Sequence, residues 1–246
     1  DSQSNVRLNV EGGSFGSIGG GASVAIAGKN VHNQLSGGYM RSDGGTDNSD
    51  FNKWHGYYQG DLVSRYLNLN WQVGVSSQNY GANTFYSAKY PNQYEETRRL
   101  IASVSGDIHN LPGGLVITPT VYWNRSTDHY QLIRGMEGAK AGENYHKDDV
   151  YGASLNAHIS WALGTTAVGA DIRKEHIYST ALGELMDSAQ WKSIHGTDRM
   201  YNREGERTNT SIFLEHDVVL NKFTFSAGLL ANKNTGLDND FRFYPG

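Results

Sequence analysis

The stretch Leu67-Asn68-Leu69-Asn70-Trp71-Gln72-Val73-Gly74-Val75 decides the fold. Every second residue is apolar, and Asn, Gln or Gly stands between. Successive side chains of a β-strand point to opposite faces, so this pattern gives a strand with one apolar and one polar face. The same period of two runs through Leu115, Ile117, Pro119, Val121 and Trp123. It runs through Tyr151, Ala153, Leu155, Ala157, Ile159 and Trp161. It returns at Thr210, Ile212 and Leu214, and again at Phe223, Phe225, Ala227, Leu229 and Ala231.

Extending this reading along the chain predicts about twelve strands of roughly ten residues, the length of a tilted membrane-spanning strand. The spans are 4–14, 20–28, 31–42, 51–62, 65–76, 96–108, 114–125, 150–161, 165–177, 207–218, 222–232 and 240–246. An ordinary soluble strand is shorter, about five or six residues. The connections alternate in length. Short ones fall at 28–31, 62–65, 109–113, 161–165 and 218–222, and long ones at 42–50, 76–95, 125–149, 177–206 and 232–240. Turns at one end and loops at the other are the layout of a transmembrane β-barrel, whereas a Greek-key sandwich has no reason to sort them. The apolar faces then meet lipid and the polar faces a wet lumen. Trp54, Tyr66, Trp123, Tyr151, Trp161, Tyr178 and Phe223 sit near strand ends, where amphipathic rings suit the headgroup level.

Composition narrows the alternatives. The chain has 246 residues, 37% hydrophobic and 19% charged, with 30 Gly. No run approaches ~18 apolar residues, which excludes a helical membrane protein. Aromatics at 11% and a net charge of −4 argue against a disordered chain. A pI near 6.1 offers no field for phosphates, so no nucleic-acid partner is expected. Cysteine is absent, which removes disulfides, Cys–zinc sites and Cys nucleophiles. The start, Asp1-Ser2-Gln3-Ser4-Asn5, has no apolar signal segment, so the chain is expected to begin as a mature protein or inside a longer one. At the other end, Phe241-Arg242-Phe243-Tyr244-Pro245-Gly246 reads as a strand running into a turn with nothing after it.

Candidate chemistry is sparse. The segment Gly12 to Gly21 lacks the Gly-Lys-Ser/Thr of a phosphate loop, since Gly28-Lys29-Asn30 comes later and ends in Asn. The nine His show no zinc spacing, and no local signature marks a catalytic Ser. The expectation is a non-enzyme with no catalytic residue. Asp43, Asp47 and Asp50 share one long loop with Gly44, Gly45 and Asn48, which suits either a hard cation such as calcium or a solvated turn. The long loops also hold Tyr80, Phe85, Tyr86, Tyr90, Tyr94, Tyr130, Tyr145 and Trp191. Rings with an apolar body and a polar tip suit a ligand vestibule. Segment 180–191, which opens with Thr180 to Asp187, suits a helical turn on the outer surface, and loops 125–149 and 177–206 mix both charges, pointing to no substrate charge.

Three groups of residues carry a resemblance. The first is Gly37-Gly38-Tyr39-Met40-Arg41-Ser42-Asp43-Gly44 with Asn48, Asp50-Phe51-Asn52 and Gln59-Gly60. The second is Asn79-Tyr80-Gly81-Ala82, Phe85-Tyr86 and Tyr94-Glu95-Glu96-Thr97-Arg98-Arg99. The third is Gly169-Ala170-Asp171-Ile172-Arg173. In order and spacing they resemble the barrel of TonB-dependent outer-membrane receptors, especially cobalamin (vitamin B12) transporter-like members. The resemblance implies an all-β, antiparallel transmembrane barrel segment: about twelve strands of a 22-stranded barrel that normally holds a plug. Residues 1–246 would be roughly its first half, with the plug, the TonB box and the closing strands outside the chain. It also implies a Gram-negative outer-membrane location, import of a scarce bulky nutrient such as a corrinoid, contact with TonB through the plug, and a surface lipoprotein as a further partner. Loop aspartates bind calcium in some cobalamin receptors, which adds weight to Asp43, Asp47 and Asp50. Two other readings stay open from the residues themselves: a complete small outer-membrane channel of about twelve strands, and a soluble β-sandwich binding carbohydrate through Tyr and Trp.

Overall fold

The computed structural model describes residues 4–236 and, by backbone alone, Asp238–Pro245. Gly246, the end of the expected terminal turn, lies outside the described residues. Twelve long strands form a single antiparallel meander. They are β1 (Asn5–Gly13), β2 (Ser17–Ala27), β3 (Val31–Ser42), β4 (Phe51–Val63), β5 (Leu67–Asn83), β6 (Gln93–Ile108), β7 (Val116–Gln131), β8 (Glu143–Trp161), β9 (Gly164–Ser179), β13 (Arg203–Leu220), β14 (Phe223–Asn234) and β15 (Asp238–Pro245). Between β9 and β13 lie three two-residue strands, β10 (Glu184–Leu185), β11 (Lys192–Ser193) and β12 (Met200–Tyr201). β10 pairs with β13, and β11 with β12. Among the described residues no pairing joins β1 to β15.

Registry turns the sequence alternation into two faces. Tyr58, Val73, Ala102, Trp123 and Tyr151 are successive cross-strand partners. The next row toward the short turns is Gly60, Trp71, Val104, Val121, Ala153 and Ile172. These rows belong to one apolar band, and the band is bare: Leu8 is 74% exposed, Phe225 59% and Leu155 55%. The buried hydrophobic residues are Ala82, Val150, Met186, Ile194 and Tyr201, none of them in the band. A contiguous apolar surface of this extent is not left to water. The opposite face is polar, with cross-strand bonds such as Tyr57 Oη to Gln72 Oε1 at 2.6 Å and Ser105 Oγ to Thr120 Oγ1 at 2.9 Å.

Tight turns close one end. The β13–β14 turn needs only residues 221–222, and Asn221 takes the left-handed φ of 53° that such hairpins require. Gly60 serves packing instead. A Cβ there would lie 2.3 Å from the Trp71 ring, so only glycine lets that indole lie flat on the strand beside it.

The strands match the expected spans at the short-turn end, and from β5 onward they outrun them at the other. β5 continues to Asn83, β7 to Gln131, and β8 starts at Glu143. The 19-residue β8 is roughly 60 Å long at about 3.3 Å per residue. That is about twice the hydrocarbon thickness. The extra residues are polar on both faces, so alternation gives no contrast there, but the ladder continues. Within the 180–191 segment the expected helical turn falls at Ser188–Gln190, while Glu184–Leu185 is a strand, because it can bond to the free edge of β13.

Candidate functional site

The apolar spans end at Val75, Leu100, Trp123 and Tyr151, and the strands beyond them carry the candidate site. On the polar face, Tyr80, Glu95 and Tyr130 form one cross-strand row on β5, β6 and β7. Tyr86 comes in from the β5–β6 loop. The Tyr80 and Tyr86 hydroxyls bond to the same Glu95 carboxylate oxygen and lie 3.1 Å apart. Phe85 meets the Tyr86 ring edge-on at 4.9 Å, and Tyr86 meets Tyr130 edge-on at 5.6 Å. Burial and the Glu95 charge raise the Tyr80 and Tyr130 phenols, keeping them protonated as donors. The same two causes push the neighbouring Asp128 up to about 6.

One residue pins the loop that supplies Tyr86. Gln93 is fully buried, and its amide nitrogen donates to the carbonyls of Asn83 at 3.1 Å, Ser87 at 3.2 Å and Tyr90 at 2.8 Å. Its side-chain oxygen accepts from Tyr130 Oη at 2.6 Å. Its own carbonyl accepts from Asn48 Nδ2 at 2.6 Å, which ties in the β3–β4 loop. Arg134, from the β7–β8 loop, grips both Asp50 oxygens at 2.6 and 3.0 Å and lies 4.4 Å from the Tyr94 ring centre. Three loops therefore share one bonded network.

The sequence-predicted residues divide. Tyr80, Phe85, Tyr86 and Tyr130 come together. Tyr90 joins only through its carbonyl, and its ring faces Lys89 at 5.5 Å. Tyr94 and Tyr145 lie on the opposite face, above the apolar band. There Tyr145 stacks on His129 at 4.1 Å and donates to Glu143 at 3.1 Å. Burial raises the Glu143 carboxyl. The Gly138 amide, His129, Tyr145 and Arg199 outweigh that and hold it below the usual range. Trp191 is apart again, donating to the Met186 carbonyl at 3.1 Å beneath its own loop. The sequence reading missed Gln93, Glu95 and Asp128 as site residues. Glu95, Asp128 and Tyr130 lie on the polar face, where alternation carried past residue 125 would have placed Asp128 and Tyr130 together.

The three loop aspartates do not converge. Asp43 pairs with Arg41, Asp50 pairs with Arg134, and Asp47 is exposed. The Arg134 hydrogen bond holds the Asp50 carboxyl below its usual range. Among the described residues no group of three acidic or His side chains could hold a metal ion. As placed, these side chains do not fit a calcium cage. The glycine-rich segment forms the β1–β2 hairpin, with Phe15 and Gly16 at left-handed φ of 59° and 63°.

No protein-family model and no curated protein matches the sequence. Solved structures do match the fold. The FrpB iron transporter from Neisseria meningitidis has a TM-score of 0.73 at 16% identity, over 100% of this chain and 42% of its own. The ferric-catecholate import receptor Fiu from E. coli K12 has 0.72 at 12%, over 100% and 51%. The copper transporter OprC has 0.69 at 14%, over 99% and 41%. The chain thus spans about half or less of the proteins it resembles. The likeness bears on fold: an all-β antiparallel wall like that of outer-membrane barrels.

Proposed function

We propose that this chain is a section of barrel wall from a TonB-dependent receptor in a Gram-negative outer membrane, importing a scarce bulky nutrient. The observation that carries this is the two-sided sheet. One face leaves an apolar band bare between rows of Trp and Tyr. The other raises an aromatic and carboxylate cluster above it. On this reading the band meets lipid, the polar face lines the lumen, the short turns face the periplasm and the long loops face outward. Unpaired backbone is costly in hydrocarbon, so the β1 and β15 edges take further strands of the same receptor. A plug within that wall, pulled by TonB, gates passage. No chemical step is involved.

Cargo would meet Tyr80, Phe85, Tyr86 and Tyr130, with Glu95 and Asp128 as acceptors. Flat rings with hydroxyl tips suit a large ligand of mixed polarity. A corrinoid delivered with help from a surface lipoprotein is one such cargo, and a metal chelate is another. Calcium at Asp43, Asp47 and Asp50 is a separate proposal with a condition: the ion must displace Arg41 and Arg134.

The test is gel mobility of an outer-membrane fraction, boiled and unboiled, detected with an antibody to this segment. A heat-shifting band well over twice 27.1 kDa is expected, followed by corrinoid and ferric-chelate binding that weakens in Tyr86→Ala. A heat-shifting band near 27.1 kDa replaces the receptor with a small channel. Full extraction without detergent refutes the membrane reading.

A further inference from the structure

The apolar face carries an unpaired guanidinium at its upper margin. Arg98 on β6 shares a row with Trp54, Ser77 and Thr127. Among the described residues its side chain has no ion pair, hydrogen bond or ring partner. Its neighbour Arg125 is committed: it holds Asp149 at 2.7 and 3.1 Å and lies 5.1 Å from the Trp123 ring centre. A notch of about 190 Å³ opens here, lined by Trp54, Val75, Leu100 and three arginines, Arg98, Arg99 and Arg125. Arg99 is one residue along β6 from Arg98, so its side chain points to the opposite face. Directly below, an apolar groove of about 510 Å³ runs between Trp71 and Trp123 over Val73, Ala102 and Val104. The small Ala102 side chain, between two indoles, keeps the groove open.

We propose that this face binds an anionic membrane lipid, its phosphate on Arg98 and one acyl chain in the groove between Trp71 and Trp123. The proposal rests on the membrane reading above and adds which lipid the wall selects. A guanidinium matches phosphate through paired N–H donors, and it sits where headgroups meet hydrocarbon. Arg125, neutralised by Asp149, lines the notch without competing for the charge. A zwitterionic lipid brings its own cation and gains less from Arg98.

The test uses the full receptor in detergent, with native mass spectrometry after adding phosphatidylglycerol and phosphatidylcholine in equal amounts. Wild type is expected to carry mostly phosphatidylglycerol. Arg98→Gln should lower that occupancy about fivefold, the effect of one interfacial cation. Lys53→Gln, the same charge change on the opposite face, should leave it unchanged. Ala102→Trp, which fills the groove, should lower binding of both lipids. Each variant is first checked for a heat-shifted band. Absence of the shift in wild type refutes the membrane reading. Presence of the shift with equal lipid occupancies, or no effect of Arg98→Gln, overturns this proposal alone. Arg98-dependent retention of inorganic phosphate with no phosphatidylglycerol bound, when the two are offered together, makes it a free-phosphate site, which also overturns it.

Discussion

Replacing Gln93 by Leu should release the β5–β6 loop without unfolding the wall. The substitution keeps most of the volume and removes every polar atom of the side chain. Three backbone carbonyls, of Asn83, Ser87 and Tyr90, lose their donor, and the Tyr130 hydroxyl loses its acceptor. The two amide hydrogens are shared among three acceptors, so fewer than four full bonds are at stake. At about 1 kcal/mol net each, with an added cost for carbonyls left dry, the loss is about 2–4 kcal/mol. At about 1.4 kcal/mol per factor of ten, local opening rises roughly 30- to 700-fold. Hydrogen exchange of residues 84–92 in detergent reads this directly. Tyr130→Phe, which removes one bond, should raise it only about fivefold. A change under about threefold in Gln93→Leu would refute the assignment of Gln93 as the pin. So would equal acceleration around Val104, which would mean global rather than local opening.

Leu155→Arg should destabilise the folded form by about 2–4 kcal/mol, read as loss of the heat-shifting band, although Leu155 is open to solvent in the isolated chain, whereas Ser154→Arg on the other face should be near neutral. Equal tolerance of the two would reverse the assignment of faces. Gly60→Ala places a methyl against the Trp71 ring and should cost about 1–3 kcal/mol in urea titration of the folded form. For Asp128, burial and Glu95 raise the folded-state pKa to about 6 from the ordinary 3.8. The folded state therefore binds the proton more tightly, and local stability falls as pH rises from about 4 to about 6. Exchange at residues 125–131 should quicken across that window in wild type and lose this trend in Asp128→Asn. A rate that slows with rising pH, after correction for intrinsic exchange, would contradict the sign.

How far the sequence could be read follows from contrast between faces. Where Trp71 alternates with Asn70 and Gln72, or Leu155 with Ser154 and Asn156, strand, face and rough ends are all legible. Where His129 alternates with Asp128 and Tyr130, both faces are polar and the pattern says nothing, so strand reads as loop. The aromatic cluster was half legible. Tyr80, Phe85, Tyr86 and Tyr130 announce themselves by type, but their grouping depends on registry, which places Tyr80 and Tyr130 on either side of Glu95. Tyr145 has the same composition signal and the opposite parity, so it lands on the other face. Asp43, Asp47 and Asp50 look like a cation loop because sequence does not show that Arg134, far along the chain, reaches Asp50.

The meander has a consequence for how such a wall can be built. Each long strand bonds to its predecessor and successor, and the largest detour between neighbours is the 180–202 segment between β9 and β13. Closing short loops costs little entropy, and each added hairpin finds its template already laid down. Growth can proceed one hairpin at a time from a ready edge, each step satisfying the backbone groups exposed by the last. In a barrel closed from such a wall, contact between the first and final strands is then the only distant encounter, and it comes at the end of assembly.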